Sequence, residues 1–339
     1  MSEHFGDDGK QQALKEIVQK LHEGVDVAKV RKQFAALIKD VSPEEIAKME
    51  QSLITEGVPV EKVQKMCDVH VAVFEDSLKR QKKQKTLPGH PIRTFVDENK
   101  EARRRVRKTK AAIWAVARSA SWETAAEELA ALKLLELHYS RKENLLFPFL
   151  ESEKFTGPSK VMWGKHDEIR NMFKETESAL RDKDVKRSRS TWAPLARAIR
   201  GMVFMEERIL FPTALKLLTD RQWADIRKGE AEIGYAWIKP GNLWDANIVT
   251  ARSAAADLGK PIAEDTGTGE TAEQDAAEIP LEMGSMSPQM INVLLKNLPL
   301  DITYVDEHDR VKYYSQGRER IFPRTPAIIG REGQNCHPP

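Results

Sequence analysis

Only two cysteines, Cys67 and Cys336, occur in 339 residues, so no disulfide framework is available and a reducing compartment, the cytoplasm, is the expected location. Long apolar runs are missing as well. The longest is Ala111 to Ala117, far short of a bilayer span. The start, Met1-Ser2-Glu3-His4-Phe5-Gly6-Asp7-Asp8, has neither a basic n-region nor an apolar h-region. Neither a signal peptide nor a membrane span is expected. An excess of one charge is lacking too. The 54 Lys plus Arg meet 52 Asp plus Glu, and a net charge of +2 announces neither a nucleic-acid binder nor a strongly acidic solvation tail. Nothing resembles a nucleophile elbow, a phosphate loop or a dinucleotide fingerprint, so any catalysis falls to a bound metal. What is present, 40% apolar and 31% charged residues, suffices for real cores, and the length suggests two or three domains.

The apolar spacing makes the chain mainly α. In residues 1–87 the runs Leu14, Ile17, Val18, Leu21 and Val27, Val30, Phe34, Leu37, Ile38 recur at helical period and predict a small domain of about four helices. Ser42-Pro43-Glu44-Glu45 offers an N-cap, a proline at the first helical position and a capping glutamate, while Gly57 and Pro59 punctuate the other end. The run Lys79-Arg80-Gln81-Lys82-Lys83-Gln84-Lys85, followed by Leu87-Pro88-Gly89, suits a domain boundary. Residues 88–240 then hold four long amphipathic stretches with short connections, which predict an up-down-up-down four-helix bundle. Residues 241–285 read as a linker, since Asp257 to Glu282 carry eight acids against one base with no apolar period. In 286–339 the period turns strand-like. Asp301 to Asp306, a turn at Glu307-His308-Asp309, and Arg310 to Ser315 predict a hairpin.

One internal similarity carries chemistry. Lys142-Glu143-Asn144-Leu145-Leu146-Phe147-Pro148 and Glu206-Glu207-Arg208-Ile209-Leu210-Phe211-Pro212 share an acid and a Leu-Phe-Pro end at a spacing of 64 residues, as a duplicated two-helix unit would. His138 and Met202 stand nine residues before the two phenylalanines, and His90 and His166 fall near the starts of the first and third helices. In an antiparallel bundle those starts and the ends of helices two and four lie at one end. His166 shares a stripe with Met162, Ile169 and Phe173, and Glu206 with Leu195, Ile199, Met202 and Ile209, so both point inward. A carboxylate buried among apolar helices costs several kcal/mol unless a cation or donor meets it, and mixed His and Glu ligands favour iron over manganese or zinc. Taken singly, each histidine reads as a capped or solvated helix residue; taken together with the repeat, they read as metal ligands.

These residues resemble the hemerythrin-like, HHE cation-binding family, whose four-helix bundles hold a non-haem di-iron centre, and especially its iron-centre-repair members. The resemblance covers about residues 88–235. It rests on His90, on His138 before Leu-Phe-Pro, on Lys165-His166-Asp167-Glu168, and on Glu206-Glu207 before the second Leu-Phe-Pro. It implies iron at His90, His138, His166 and Glu206. Two positions depart: Lys142 stands where the family has the glutamate of the second helix, and Met202 where it has the histidine of the fourth. Glu143 comes one residue late, about 140° around the helix from His138 instead of about 40°, and a local π-bulge would turn it inward. Glu207 is expected to act beside Glu206. The expected metal set is therefore His90, His138, Glu143, His166, Glu206 and Glu207, around two irons or one.

The tail from Leu298 to Ser315, with Ile328-Ile329-Gly330-Arg331, looks like the first half of a PAS sensor domain, which suggests a truncated product of a longer gene. The order of helical domain, hemerythrin-like bundle and PAS region resembles a bacterial and archaeal family whose first domain has no assigned function. Cys67-Asp68-Val69-His70 is part of that match; Cys67 and His70 share a helix face and read as a structural pair or as a metal or redox pair. Asn335-Cys336-His337-Pro338 reads as a chain terminus rather than as a ligand contact of a full PAS domain. The basic cluster Lys100 to Lys110 has no interleaved aromatic platform and reads as a solvated helix face rather than a nucleic-acid surface.

Three functions follow from these residues. The first is an iron protein that binds or senses O2, NO or peroxide and relays the event to the PAS module, itself open to a protein partner or a dimer. The second is an enzyme of iron-centre repair or of NO or peroxide reduction. The third is a metal-free scaffold in which Lys142 pairs with a glutamate in place of the metal charge.

Overall fold

The computed structural model describes residues 13, 15–17, 19–20, 25–34, 42–59, 63, 73–74, 78, 85–118, 121–250, 278–281, 283–315 and 326–333. Cys67, His70, His4, His22, Cys336 and most of the acidic linker lie outside them. The chain divides into two units, 1–246 and 247–337. Among the described residues no helix is long and apolar enough to cross a membrane.

Among the described residues before the bundle, two helices have both ends defined, α1 (Val27–Gln33), capped by Asp26, and α2 (Pro43–Thr55). The box at the start of α2 forms as its residues imply: the Glu45 N–H donates to Ser42 Oγ and the Ser42 N–H donates to Glu45 Oε2. α2 does not stand apart from the bundle. It packs on the helix that starts at Gly157, whose N–H donates to the Gln51 side chain, so the described part of the first helical domain and the bundle share one unit.

The bundle begins with α3 (Pro91–Ala115). Its second helix comes in three pieces, α4 (Trp122–Lys133), α5 (Leu135–Arg141) and α6 (Phe147–Ser152), broken at Leu134 and by a π-helical turn over Lys142–Leu146. The third is α7 (Gly157–Arg181), and the fourth runs through α8 (Val185–Met205), a π-helical turn over Glu206–Leu210, and α9 (Phe211–Leu217). Each helix packs against the next, and the fourth closes on the first, as an up-down-up-down bundle requires. Phe95, Ala102, Val106, Ile113, Leu129, Leu146, Phe147, Ile169, Leu195 and Ile199 are buried in one continuous core.

A fifth helix, α10 (Asp220–Ile233), follows where the apolar pattern suggested that the fourth continued. Leu218 is extended, and Thr219 and Gln222 form a second capping box, so backbone chemistry restarts the chain here. The segment after α10 returns to the start of α3, where the Trp244 N–H donates to the Pro88 carbonyl at 2.9 Å. Gly89 sits at φ +104° beneath it, and a Cβ there would meet the Trp244 carbonyl oxygen at 2.5 Å.

Among its described residues the second unit contains two antiparallel hairpins, a helix and a 3-10 turn: β1 (Ile279–Pro280) with β2 (Ser285–Met286), α11 (Pro288–Asn297), β3 (Thr303–Val305) with β4 (Val311–Tyr314), and the turn Pro326–Ile328. The second hairpin is the one its alternation implies, with Asp309 at φ +57° in the turn. Val311, Tyr314 and Ile328 form its small core.

Candidate metal centre

Both Leu-Phe-Pro sequences follow a π-helical turn, for one physical reason. Pro148 and Pro212 have no N–H and their rings crowd the carbonyl four residues back, so the preceding turn widens. The Phe147 N–H then reaches the Lys142 carbonyl and the Phe211 N–H reaches the Glu206 carbonyl, each five residues back. The widening places Lys142 and Glu143 in the bundle interior together with His138: Lys142 is fully buried and Glu143 5% exposed.

At the centre His138, His166 and Glu206 are completely buried. The His138 ring donates through Nδ1 to Glu98 Oε2 at 2.8 Å, while its Nε2 lies 3.2 Å from Glu206 Oε2. His166 is built the same way. Its Nδ1 donates to Glu143 Oε1 at 2.6 Å, and its Nε2 accepts from Lys142 Nζ at 2.8 Å. The Lys142 ammonium also donates to Glu206 Oε1, and Asn99 Nδ2 donates to Glu206 Oε2 at 2.8 Å. Tyr139 stacks on His166 with centroids 4.1 Å apart, and Phe95 meets the His138 ring edge-on at 4.9 Å.

Salt bridges extend outward from this centre. Arg141 joins Glu98 to Glu230, Arg227 reaches Glu230, and Arg170 holds Glu143. Four buried carboxylates, Glu98, Glu143, Glu206 and Glu230, thus meet four cations, Arg141, Lys142, Arg170 and Arg227. Burial opposes ionisation of Glu206, but Lys142 and His138 outweigh it and hold the carboxyl well below its usual range. Burial, reinforced by Lys142, keeps His166 neutral to far below the usual imidazole range. Burial lowers the Lys142 ammonium as well, against the pull of Glu206.

The structure brings together His138, His166, Glu143 and Glu206 from the expected set. His90 stands elsewhere: its Nδ1 accepts from the Ile92 N–H at 3.1 Å to cap α3, and its ring packs between Trp223 and Trp244. Glu207 is also turned away, paired with Arg103 at 2.8 Å. Glu98, Asn99, Arg141, Arg170 and Glu230 complete the cluster without having been singled out. The signal for Glu98 and Asn99 was present, since they interrupt the apolar stripe Phe95, Ala102, Val106.

The donor chemistry suits one cation. Each imidazole gives an Nδ1 proton to a carboxylate, the arrangement that orients metal-bound histidines, and so turns its Nε2 inward. At His138, Nε2 lies 3.2 Å from Glu206 Oε2, so a cation bound between them would be met by both atoms. Among the described residues no three His, Cys, Asp or Glu side chains stand around one point as a ligand set. The Lys142 ammonium occupies the place between His166 and Glu206.

In sequence, this bundle is similar to a known cation-binding domain. Residues 90–214 match the hemerythrin HHE cation binding domain, residues 14–80 a family of unknown function (DUF438), and residues 291–339 a PAS domain. No curated protein matches the chain. A cation-binding bundle joined to a PAS region supports a metal-binding sensory protein.

Proposed function

We propose that this chain is a cytoplasmic iron sensor of the hemerythrin-like class, with O2, NO or peroxide as its signal and the PAS region as its output. The observation that carries the reading is the matched orientation of His138 and His166, each fixed through Nδ1 by a carboxylate and each directing Nε2 to the Glu206 carboxylate or its lysine partner. Two imidazoles and one carboxylate form the set that suits non-haem iron with open positions, so one iron is favoured over two. His138, His166 and Glu206 would hold it. When bound there, iron supplies open coordination positions and a one-electron couple for a small oxidant or diatomic gas.

The protein's own groups prepare that site. Glu98 and Glu143 orient the two imidazoles. Phe95, Tyr139 and Phe147 line the two rings and exclude water. Asn99 Oδ1 and the Tyr139 hydroxyl are buried with no hydrogen-bond partner among the described residues, so polar groups are left for an incoming ligand. The expected PAS-mediated partner is a protein or a second copy of the chain.

Metal analysis with an ultraviolet-visible spectrum, on protein purified anaerobically and then exposed to air, tests this reading. About one iron per chain, lost in His138→Ala and His166→Ala, supports it. Absence of iron after anaerobic reconstitution rejects it and favours a second reading, the metal-free scaffold, which the Lys142–Glu206 pair independently supports.

A further inference from the structure

The group between His166 Nε2 and Glu206 Oε1 is a cation already, the fully buried Lys142 ammonium. An ammonium has three protons to give. His166 Nε2 at 2.8 Å takes one, Glu206 takes another, and Nζ lies 4.7 Å from the centroid of the Tyr139 ring, which receives the remaining positive face. No other lysine among the described residues is so buried. Lys142, four residues after His138, is brought here by the π-helical turn that also carries Glu143, so the second helix supplies both an imidazole and the charge that neutralises its carboxylate partner.

We propose that Lys142 is a tethered counter-cation of the metal position: it holds His166 and Glu206 in place in the metal-free chain and must withdraw for a metal ion to bind. The inference rests on the metal reading of the bundle and adds a competitor to it. Metal and ammonium share the same donor atoms, so their occupancy is mutually exclusive. Two positive charges side by side in a buried cluster whose ionic groups are already balanced would repel each other strongly. Binding therefore exchanges the lysine for the metal, and metal affinity is set partly by how well Lys142 is held. Removing it leaves Glu206 buried beside an uncharged side chain, a state that a divalent ion would relieve.

The test uses the full chain stripped of metal, with Co(II) as a spectroscopic probe. Wild type, Lys142→Met and Lys142→Arg are compared for Co(II) affinity by visible absorption and for thermal melting with and without Co(II). Lys142→Met is expected to bind Co(II) roughly tenfold or more tightly than wild type, to melt lower when metal-free, and to gain more from Co(II). Lys142→Arg, which keeps the charge, is expected to gain no affinity. Should Lys142→Met fold only when expressed with Co(II), that rescue supports the proposal. Equal or weaker binding by Lys142→Met, unchanged melting of its metal-free form, or tighter binding by Lys142→Arg overturns it. Equal binding by wild type and Lys142→Met would leave the proposed iron function standing and reject only the counter-cation. No binding by wild type together with binding by Lys142→Met would reject the iron function and keep the counter-cation. No binding by either would reject both.

Discussion

Glu143 Oε1 accepts a 2.6 Å hydrogen bond from His166 Nδ1, on the side of the ring opposite the nitrogen that meets Lys142. Glu143 therefore stands behind the imidazole, and Arg170 keeps it there at 2.8 Å. A carboxylate in that position fixes the ring and raises its basicity, and its loss costs about 10–100-fold in metal affinity. Glu143→Gln is expected to weaken Co(II) or Fe(II) binding by that factor while the helical circular dichroism is unchanged. Complete loss of binding would make Glu143 a direct ligand instead.

The arginine beneath the site predicts a larger structural effect. Arg141 is completely buried and joins Glu98 to Glu230, elements that only the folded chain brings together. Burial pushes the Glu230 carboxyl up from its usual value even with arginines beside it, a sign of how little solvent compensates the charge. Arg141→Leu leaves two buried carboxylates short of a partner, and urea denaturation is expected to show a loss of about 3–5 kcal/mol. The double variant Arg141→Leu with Glu230→Gln should recover part of it. A loss below about 1 kcal/mol would mean that Arg227 and His138 compensate on their own.

Much of this arrangement was legible in the residues. The helical period located the bundle, the duplicated Leu-Phe-Pro end located the site, and the one-residue offset of Glu143 called for the π-helical turn that Phe147 and Lys142 close. The rest was not legible because it depends on pairing across distance. Glu98 lies 40 residues from His138 and Asn99 lies 107 residues from Glu206, and no local period encodes such partners. His90 illustrates the converse. Its place near a helix start suited a ligand, yet that same place makes it an N-cap, because a side-chain acceptor at that position meets the free N–H groups of the first turn. The fifth helix was hidden by the continuous apolar pattern through Leu215 and Trp223, though Thr219 and Gln222 carried its capping signal.

The strap over the first bundle helix gives another measurable consequence. Gly89 has φ +104°, and a Cβ would meet the carbonyl oxygens of Trp244 at 2.5 Å and Gly241 at 2.8 Å, both rigid backbone atoms. Gly89→Ala is expected to destabilise the protein by about 1–3 kcal/mol and to break the Trp244 to Pro88 hydrogen bond. Limited proteolysis should then cut within 236–250 faster than in wild type. Unchanged cutting there would place the cost elsewhere.

His90 supplies the pH dependence that can be separated from the central cluster. Burial between Trp223 and Trp244 lowers its pKa from 6.5 to about 4. The sign follows from proton counting. Between these two values the unfolded chain binds a proton that the folded imidazole refuses, so stability is fully present above about pH 6.5 and falls as the pH drops towards 4. Below 4 both states are protonated at this group and its contribution changes no further. The full difference is on the order of 3 kcal/mol. His166, also held below its usual range, acts in the same direction, and Glu206 adds a further loss as pH falls below its unfolded value of 4.5. Comparison with His90→Asn isolates one group, because asparagine keeps an N-cap acceptor and does not titrate. Urea denaturation of the metal-free protein at pH 7, about 5.5 and about 4.5 is expected to show a shallower decline for His90→Asn than for wild type. Parallel declines would mean that His90 is protonated within its pocket at no cost, and that the acid sensitivity belongs to His166 and Glu206.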